Sequence, residues 1–267
     1  MILYKYVSFR AGRKILESAS LGFTQPEFFN DPFDMPVYPG QGGMTEISQI
    51  PERLRVMGQE RSWADNTGIL SLTRTATNAL MWAHYANQHR GMVIGVDVVA
   101  AGLTDEARNL VPAQYGSVIY VSRRSSQPFV VQPATNLAAG ATHRFSPEHY
   151  EHLQRLFLHK PLCWSYEEEV RVVKCLEGLG AAGGQTASGR FNAVEVEGRS
   201  RQLLILPDAA IREVHIGFRA DQEAADALHD AAKERFAHLS VFQCHLLPES
   251  FSVGADDYIT LAQTITG

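Results

Sequence analysis

The sequence predicts a single α+β domain with a mostly antiparallel or mixed sheet and flanking helices. Short β-forming runs alternate along the chain with segments of helical periodicity, and neither an internal repeat nor a domain boundary interrupts them. The chain has 267 residues, of which 45% are hydrophobic and 20% charged. This is enough chain to bury a large core without disulfides or a structural metal.

The predicted elements follow from local patterns in chain order. Apolar or alternating runs rich in β-formers predict strands at residues 2–7, 21–24, 69–73, 92–97, 117–121, 169–173, 203–206, 213–217 and 241–246. Helical spacing predicts helices at residues 13–19, 78–85 with Thr77 as N-cap, 147–159 and 221–236. Asn, Asp, Pro and Gly predict a turn at 28–34, a loop at 36–43 and a flexible Gly/Ala-rich excursion around 177–190.

Charge and cysteine content limit the classes of function. The formal net charge of −5 argues against a dedicated nucleic-acid coat, which needs a strongly basic face. Lys5, Arg10, Arg13 and Lys14 interrupt the N-terminus where a secretory signal needs apolar residues, and no apolar stretch approaches the ~20 residues of a membrane span. The three cysteines form no Cys-x-x-Cys pair. We therefore expect a reduced, cytoplasmic protein without a membrane partner.

The first candidate site is an acidic run that leads into an apolar strand. Trp164 and Tyr166 precede Glu167 and Glu169, and Arg171 follows. Carboxylates two positions apart on a strand lie on the same face of the sheet. In a cleft, one such carboxylate raises the pKa of the other, and the pair can stabilise a cationic transition state. The alternative is a solvated strand start facing Arg171, because charge runs usually face water.

The second candidate is an aromatic and histidine cluster in the predicted helix at 78–85. Trp82, His84 and Tyr85 lie in that helix, and Tyr85 and His89 are four residues apart, so they share a face if the helix continues. Such a cluster suits a stacking platform for a nucleobase or nicotinamide. The alternative is core packing of Trp82 and Tyr85, with His84 satisfied by a hydrogen bond.

The third candidate is the Phe29–Asp34 turn. Asn30, Asp31 and Asp34 supply too few oxygens for a calcium loop, so a structural corner fixed by Phe29 and Phe33 is favoured and no metal is expected. The Gly-rich segment lacks the Lys-Ser/Thr ending of a phosphate-binding loop, and no Gly-x-Gly-x-x-Gly or serine-hydrolase elbow is present in the sequence.

Four motifs occur together in one order. They are Leu3-Tyr4-Lys5-Tyr6; Phe29 to Asp34; Met81-Trp82-Ala83-His84-Tyr85-Ala86 with His89-x-Gly91; and Trp164-x-Tyr166-Glu167-x-Glu169-x-Arg171. In this combination the chain resembles the bacterial domain-of-unknown-function family numbered 2971. That resemblance implies no activity.

A more distant resemblance is to ADP-ribosyltransferase domains. Leu3-Tyr4-Lys5-Tyr6, the Ile15-Leu16 pair and Leu21-Gly22-Phe23 are similar to the opening strand, helix and second strand of those domains. Ser71-Leu72-Thr73 resembles a Ser-Thr-Ser strand of one branch, and Glu167-Glu168-Glu169 resembles its Glu-x-Glu. Lys5 stands where those domains carry His or Arg.

The resemblance implies that NAD is a substrate and that its nicotinamide–ribose bond is broken by transfer or hydrolysis. Glu169 would stabilise the oxocarbenium-like charge, and Glu167 would orient the acceptor or its nucleophile. Tyr85 or Tyr4 would stack on nicotinamide, and Arg74 or Arg10 would hold the pyrophosphate. The remaining members of the implied cofactor site are Lys5, Tyr6, Ser71 and Thr73.

Two other function classes stay open at this point. One is a non-catalytic module that binds a nucleotide, nucleic acid or protein through the Trp82–Tyr85 and Phe29–Asp34 surfaces. The other is a nuclease or metal-dependent hydrolase that uses Asp31, Asp34, Glu167 and Glu169. If the chain is a transferase or hydrolase, the acceptor left open is a protein, a nucleic acid, a small molecule or water.

Overall fold

The protein folds around β-strands supported by a small number of helices. The computed structural model describes residues 1–34, 66–123, 147–196 and 198–259. Short 3-10 turns span Pro26–Phe28, Pro32–Asp34 and Leu162–Glu167. The α-helices are α1 (Phe9–Ser18), α2 (Ala79–Tyr85), α3 (Pro147–Phe157) and α4 (Gln222–Arg235). The strands are β1 (Ile2–Val7), β2 (Ser20–Phe23), β3 (Thr67–Thr73), β4 (Met92–Asp97), β5 (Ile119–Val121), β6 (His159–Pro161), β7 (Glu169–Cys175), β8 (Gly183–Thr186), β9 (Gly189–Val196), β10 (Arg199–Ile205), β11 (Ile211–Ile216), β12 (Ser240–Leu246) and β13 (Val253–Asp257).

The strands form three sheets. The largest is a mixed sheet with the order β13-β12-β11-β4-β1-β3-β7, in which β11 and β12 are parallel and the other neighbours antiparallel. A four-stranded antiparallel sheet has the order β2-β10-β9-β8, and β5 and β6 form a parallel pair. The predicted α+β class with a mixed sheet is confirmed.

The main core lies between the seven-stranded and four-stranded sheets. It contains the buried apolar face of β4 together with residues from β2 and β10, such as Ile94, Leu21 and Leu204. A second cluster on the other face of the large sheet packs Trp82 of α2 against Tyr6 of β1. Strands buried on both faces read as nearly continuous apolar runs, and β4 is the clearest example.

The large sheet is interrupted between β1 and β3. Strand β1 pairs with β4 from Ile2 to Val7, and β3 pairs with β7 from Thr67 to Thr73. Between β1 and β3, however, the only paired position is Tyr4 with Thr73. Side chains from these two strands therefore have room to line a cleft at this point.

The structure corrects several predicted boundaries. The N-cap of α2 is Asn78, whose side chain accepts from the amides of Leu80 and Met81, and not Thr77. The helix predicted to reach residue 159 ends at Phe157, because His159–Pro161 form β6. Part of the expected Gly-rich excursion is strand β8, and β13 has no counterpart in the predicted elements. The loop predicted at 36–43 lies outside the described residues.

Candidate active site

A cleft of about 250 Å³ lies where β1 and β3 separate. Its walls come from β1, β3, β7, α2, β6, β10 and the two short turns near residues 26–34. Eleven of the predicted site residues line it: Tyr4, Lys5, Tyr6, Asn30, Asp34, Ser71, Thr73, Tyr85, Glu167, Glu169 and Arg171. Segments far apart in the chain thus meet at one place.

A buried cluster of ion pairs forms one wall of the cleft. The Lys160 ammonium lies 2.5 Å from Glu167 Oε2, 2.9 Å from Glu169 Oε2 and 3.5 Å from Asp34 Oδ2. Arg171 donates from Nε to Glu169 Oε1 at 2.8 Å and from Nη2 to Glu169 Oε2 at 3.1 Å. Its Nη2 also lies 3.1 Å from Asp34 Oδ1, and its Nη1 donates to the Phe157 carbonyl at 2.7 Å. Three carboxylates thus share two cations.

This cluster fixes the protonation state of Glu169. Burial by itself raises the pKa of the Glu169 carboxyl, but the charge and hydrogen bonds of Arg171, followed by the charge of Lys160, lower it to about 2. Burial lowers the pKa of Lys160, yet Glu169, Asp34 and Glu167 outweigh burial, and the pKa of the ammonium is raised. Glu169 and Lys160 are therefore both ionised at neutral pH.

Glu167 and Glu169 reach the cleft by a route that differs from the predicted one. Glu167 ends the Leu162–Glu167 3-10 turn, Glu168 adopts a left-handed conformation with φ 44°, and Glu169 begins β7. The two carboxylates meet at Lys160 without sharing one face of a strand. The predicted alternative of a solvated strand start is wrong, because Glu167 and Glu169 are only 4% and 5% exposed.

Helix α2 brings Tyr85 onto Glu167. The Asn78 side chain that caps the helix also donates through Nδ2 to the Tyr166 carbonyl at 2.7 Å, next to Glu167 in the chain. Trp82 is fully buried and donates from Nε1 to the Ala76 carbonyl at 2.8 Å. The Tyr85 hydroxyl then donates to Glu167 Oε1 at 2.5 Å, and burial followed by this bond raises the pKa of Tyr85.

The Phe29–Asp34 segment is a corner that delivers Asp34 to the ion-pair cluster. Asp31 accepts from the Phe33 amide at 2.8 Å and from Trp164 Nε1 at 2.7 Å. The Phe29 ring lies 5.3 Å from the Arg171 guanidinium carbon. Phe29 therefore fixes the corner as expected. Phe33 takes part in the corner through its amide, which donates to Asp31, while its side chain is 65% exposed.

Lys5 bridges the gap in the sheet on the other wall of the cleft. Its ammonium donates to the Ser71 carbonyl at 2.8 Å, across the strands whose ladder fails there. Burial lowers the pKa of Lys5 to about 8; the charge of Glu169 opposes this shift, and that of Arg201 adds to it. Arg201 lines the same cleft from β10, so a second cation lies near Lys5.

Tyr4 and Tyr6 lie side by side on β1, with their hydroxyls already bonded. The Tyr4 hydroxyl donates to Glu213 Oε2 at 3.1 Å, and burial followed by Glu213 raises its pKa to about 12. The Tyr6 hydroxyl donates to the Thr75 carbonyl at 3.1 Å. Neither hydroxyl is set to act as an acid, and the two rings form part of the cleft wall.

Several predicted site residues do not line the cleft. Arg74 is exposed and donates to Ser117 Oγ at 2.7 Å, and Arg10 is exposed on α1. His84 is exposed beside the rings of Tyr85 and Tyr166. The remaining members support the site from outside the cleft. Trp82 is buried in the core, and the His89 ring is stacked on it. Trp164 donates a hydrogen bond to Asp31, and the Tyr166 carbonyl accepts one from Asn78.

His89 and Gly91 belong to the turn that follows α2. Residues 87–89 have positive φ, with His89 at 67°, and the His89 ring is stacked 6.1 Å from Trp82. A Cβ on Gly91 would lie 2.2 Å from the Val7 carbonyl oxygen. Position 91 requires a glycine because the turn lies so close to β1. The His89-x-Gly91 motif is therefore explained by the structure of this turn.

Sequence reasoning missed Lys160 and Arg201. Lys160 lies in a strand of three residues, and the sequence gives no motif around it. Arg201 is in a run of consecutive polar residues that opens β10, ahead of the apolar residues that predict the strand at 203–206. Lys160 acts through its contacts with carboxylates from other segments, and Arg201 acts through its charge on Lys5. Local sequence patterns do not predict such contacts between distant segments.

The acidic residues suggested for a metal-dependent hydrolase do not form one oxygen set. Asp34, Glu167 and Glu169 converge on the Lys160 ammonium, and Asp31 accepts from Trp164. Within residues 1–34, 66–123, 147–196 and 198–259, no group of three or more His, Cys, Asp or Glu side chains is arranged to hold a metal ion. The three carboxylates are arranged around a resident cation of the chain itself.

Comparison with known proteins gives one partial match. Residues 81–172, about a third of the 267-residue chain, match the model of a family described as protein of unknown function (DUF2971). The matched segment contains the α2 motif and the motif that ends at Arg171, and it leaves out the Leu3–Tyr6 and Phe29–Asp34 motifs. No curated protein and no solved structure matches the chain. No helix among the described residues is long and apolar enough to cross a membrane.

Proposed function

We propose that the cleft breaks the nicotinamide–ribose bond of NAD and transfers ADP-ribose to an acceptor or to water. One observation carries the proposal. Adjacent strands β1, β3 and β7 bring Lys5, Ser71 and Glu169 to the same cleft as Tyr85 of α2. These are the positions that the resemblance to ADP-ribosyltransferase domains assigns to dinucleotide binding and catalysis.

Glu169 is suited to stabilise the transition state of this reaction. When the bond breaks, its electron pair stays on the ring nitrogen, nicotinamide leaves as a neutral molecule, and positive charge develops on the ribose C1′. A carboxylate that is already ionised and fixed in position stabilises this charge without reorganisation. Arg171 holds both oxygens of Glu169, and the pKa of about 2 keeps the group ionised.

Glu167 is the group we assign to the incoming nucleophile. Its Oε1 accepts from Tyr85 and its Oε2 lies on Lys160, so the carboxylate is fixed beside Glu169. In the second step an oxygen of the acceptor or of water bonds to C1′, and its proton passes to Glu167. The ring of Tyr85 lines the cleft and supplies a stacking surface for nicotinamide.

The size of the cleft is consistent with half of a dinucleotide. Ligand pockets generally measure ~300–1,000 Å³, and this cleft measures about 250 Å³. A nicotinamide riboside unit would occupy it, with the rest of NAD extending past Lys5 and Arg201. This arrangement places the bond to be broken near the carboxylates.

The test is nicotinamide release from NAD by the full chain and by Glu169→Gln. We expect the variant to lose at least a hundredfold in turnover, since one preorganised charge is worth ~10²–10³ in rate. The matched control is Glu168→Gln, which changes the exposed neighbour and should leave turnover within about twofold. Because Glu169 is part of a buried cluster, the variant is assayed below its own melting temperature. Equal turnover in wild type and folded Glu169→Gln would refute the assignment.

A nucleotide-binding module without catalysis is the second candidate. The observation in its favour is that Lys160 and Arg171 already neutralise much of the charge on both glutamates. This candidate predicts that NAD binds without release of nicotinamide and that Tyr85→Ala weakens binding. Equal affinity in wild type and Tyr85→Ala would count against it.

A further inference from the structure

A second cavity adjoins the candidate active site. It measures about 140 Å³ and shares Thr24, Phe28 and Arg201 with the cleft that holds Glu169. At ~30 Å³ per water molecule, it has room for about five waters, or for one compact planar ring system. Because the two cavities share these residues, we treat them as neighbouring lobes of one groove, with Arg201 at the boundary between them.

The second lobe is lined by uncharged side chains apart from Arg201, as far as the described residues show. Phe23 and Leu176 supply buried apolar surface, and Gln25 and Gln202 supply amide groups. The surface of the lobe is mostly polar, with the apolar side chains behind it. Neutral hydrogen-bonding groups backed by apolar side chains suit a flat heterocycle. Such a lobe suits a nucleobase and does not suit a second phosphate.

Positive charge without a carboxylate in direct contact marks the boundary between the lobes. In the described part of the chain, neither Lys5 nor Arg201 forms an ion pair with an acidic side chain, whereas Lys160 and Arg171 are fully engaged. Lys5 is held in place by the Ser71 carbonyl. Among the charges that act on it, that of Glu169 is the largest and that of Arg201 comes next. Two cations that line one cleft favour an anion between them, and Arg is well matched to phosphate oxygens.

We propose that the groove binds a dinucleotide along its length, with the diphosphate at Lys5 and Arg201 and the second nucleobase in the lobe between Phe23 and Val196. This inference rests on the proposed function for the identity of the ligand, and it names Arg201 and the second lobe as determinants of specificity. The base of a mononucleotide such as nicotinamide mononucleotide would not reach the second lobe. The groove therefore selects for dinucleotides.

The first test measures the binding of ADP, which carries the diphosphate and one base but no nicotinamide. Calorimetric titration of the full chain should show ADP binding at least about tenfold tighter than inorganic diphosphate, since the base adds apolar burial. Arg201→Gln should weaken the affinity for ADP by roughly tenfold or more. Arg190→Gln, an exposed arginine of the same sheet that lines neither lobe, should leave the affinity unchanged.

The second test fills the outer lobe with a bulky side chain. Val196 lines the second lobe, and Val194 lies two residues earlier on the same strand outside it; both are 39% exposed. Val196→Trp should weaken the binding of ADP severalfold and leave the binding of inorganic diphosphate unaffected. Val194→Trp should change neither affinity. Equal effects of the two substitutions on ADP would overturn the placement of the base.

These outcomes separate the inference from the proposed function. If ADP binds, Arg201→Gln and Val196→Trp weaken it, and no nicotinamide is released from NAD, the two-lobed site stands and the catalytic proposal fails. If nicotinamide is released equally well from NAD and from nicotinamide mononucleotide, the catalytic proposal stands and the second lobe does not select dinucleotides. Absence of ADP binding, or ADP binding no tighter than inorganic diphosphate, overturns the inference directly.

Discussion

Removal of the Lys160 charge is the sharpest test of the buried cluster. In Lys160→Met, the carboxylates of Asp34, Glu167 and Glu169 are left with Arg171 as the one cation that the structure shows in contact with them. Removing one partner of a buried ion pair costs ~3–5 kcal/mol, because the remaining charge stays desolvated. At ~2–4 °C per kcal/mol for a chain of this size, the melting temperature should fall by about 6–20 °C.

The assay is urea unfolding at pH 7, with an exposed lysine as control. Lys14→Met changes an exposed lysine of α1 and should alter stability by less than about 0.5 kcal/mol. The double variant Lys160→Met with Glu167→Gln removes one of the unpaired carboxylates and should recover part of the loss. A loss below about 1 kcal/mol for Lys160→Met, or no recovery in the double variant, would refute the view that this cluster is a tightly coupled buried unit.

Two pH-dependent predictions follow from the same site. The pKa of Glu169 is lowered to about 2 in the folded protein from an ordinary 4.5. The ionised carboxylate therefore contributes about 3 kcal/mol to the free energy of unfolding above pH 4.5, and this contribution is lost as the pH falls towards 2. Urea unfolding at pH 5 and pH 2.5 should show the loss in the wild type and much less of it in Glu169→Gln. The pKa of Lys5 is lowered to about 8, so an anion that binds beside it should draw in a proton near pH 8–9, and ADP affinity should fall as pH rises through that range. Calorimetry in two buffers of different ionisation enthalpy measures the uptake, which should be absent in Lys5→Met; equal uptake in both proteins would contradict the placement of the phosphates.

The fold was predictable where local pattern and burial agree. Strand β4 is apolar on both faces and was predicted with its observed bounds, as was β1. Strand β13 was missed because its sequence, Val-Gly-Ala-Asp-Asp, is poor in β-forming residues and is held by pairing with β12. Thr77 and Asn78 are both good N-cap residues, and the contact of Asn78 with Tyr166 favours the latter.

Most members of the site were predictable, but two of its cations and the contacts between its members were not. Sequence reasoning identified Glu167, Glu169, Tyr85 and Lys5, because these residues belong to recognisable motifs. It did not identify Lys160, which joins the glutamates, since a lysine in a short strand carries no local signal. The burial of charge around it depends on contacts between distant segments.

The clearest test of the proposed reaction is the amount of free nicotinamide formed when the 267-residue chain is incubated with NAD. We expect nicotinamide in excess of the protein concentration, or in an amount equal to the ADP-ribose bound to an added acceptor, and we expect this product to be lost in Glu169→Gln. If NAD is recovered intact from a sample in which calorimetry shows it bound, the cleft is a binding site and its glutamates are not catalytic.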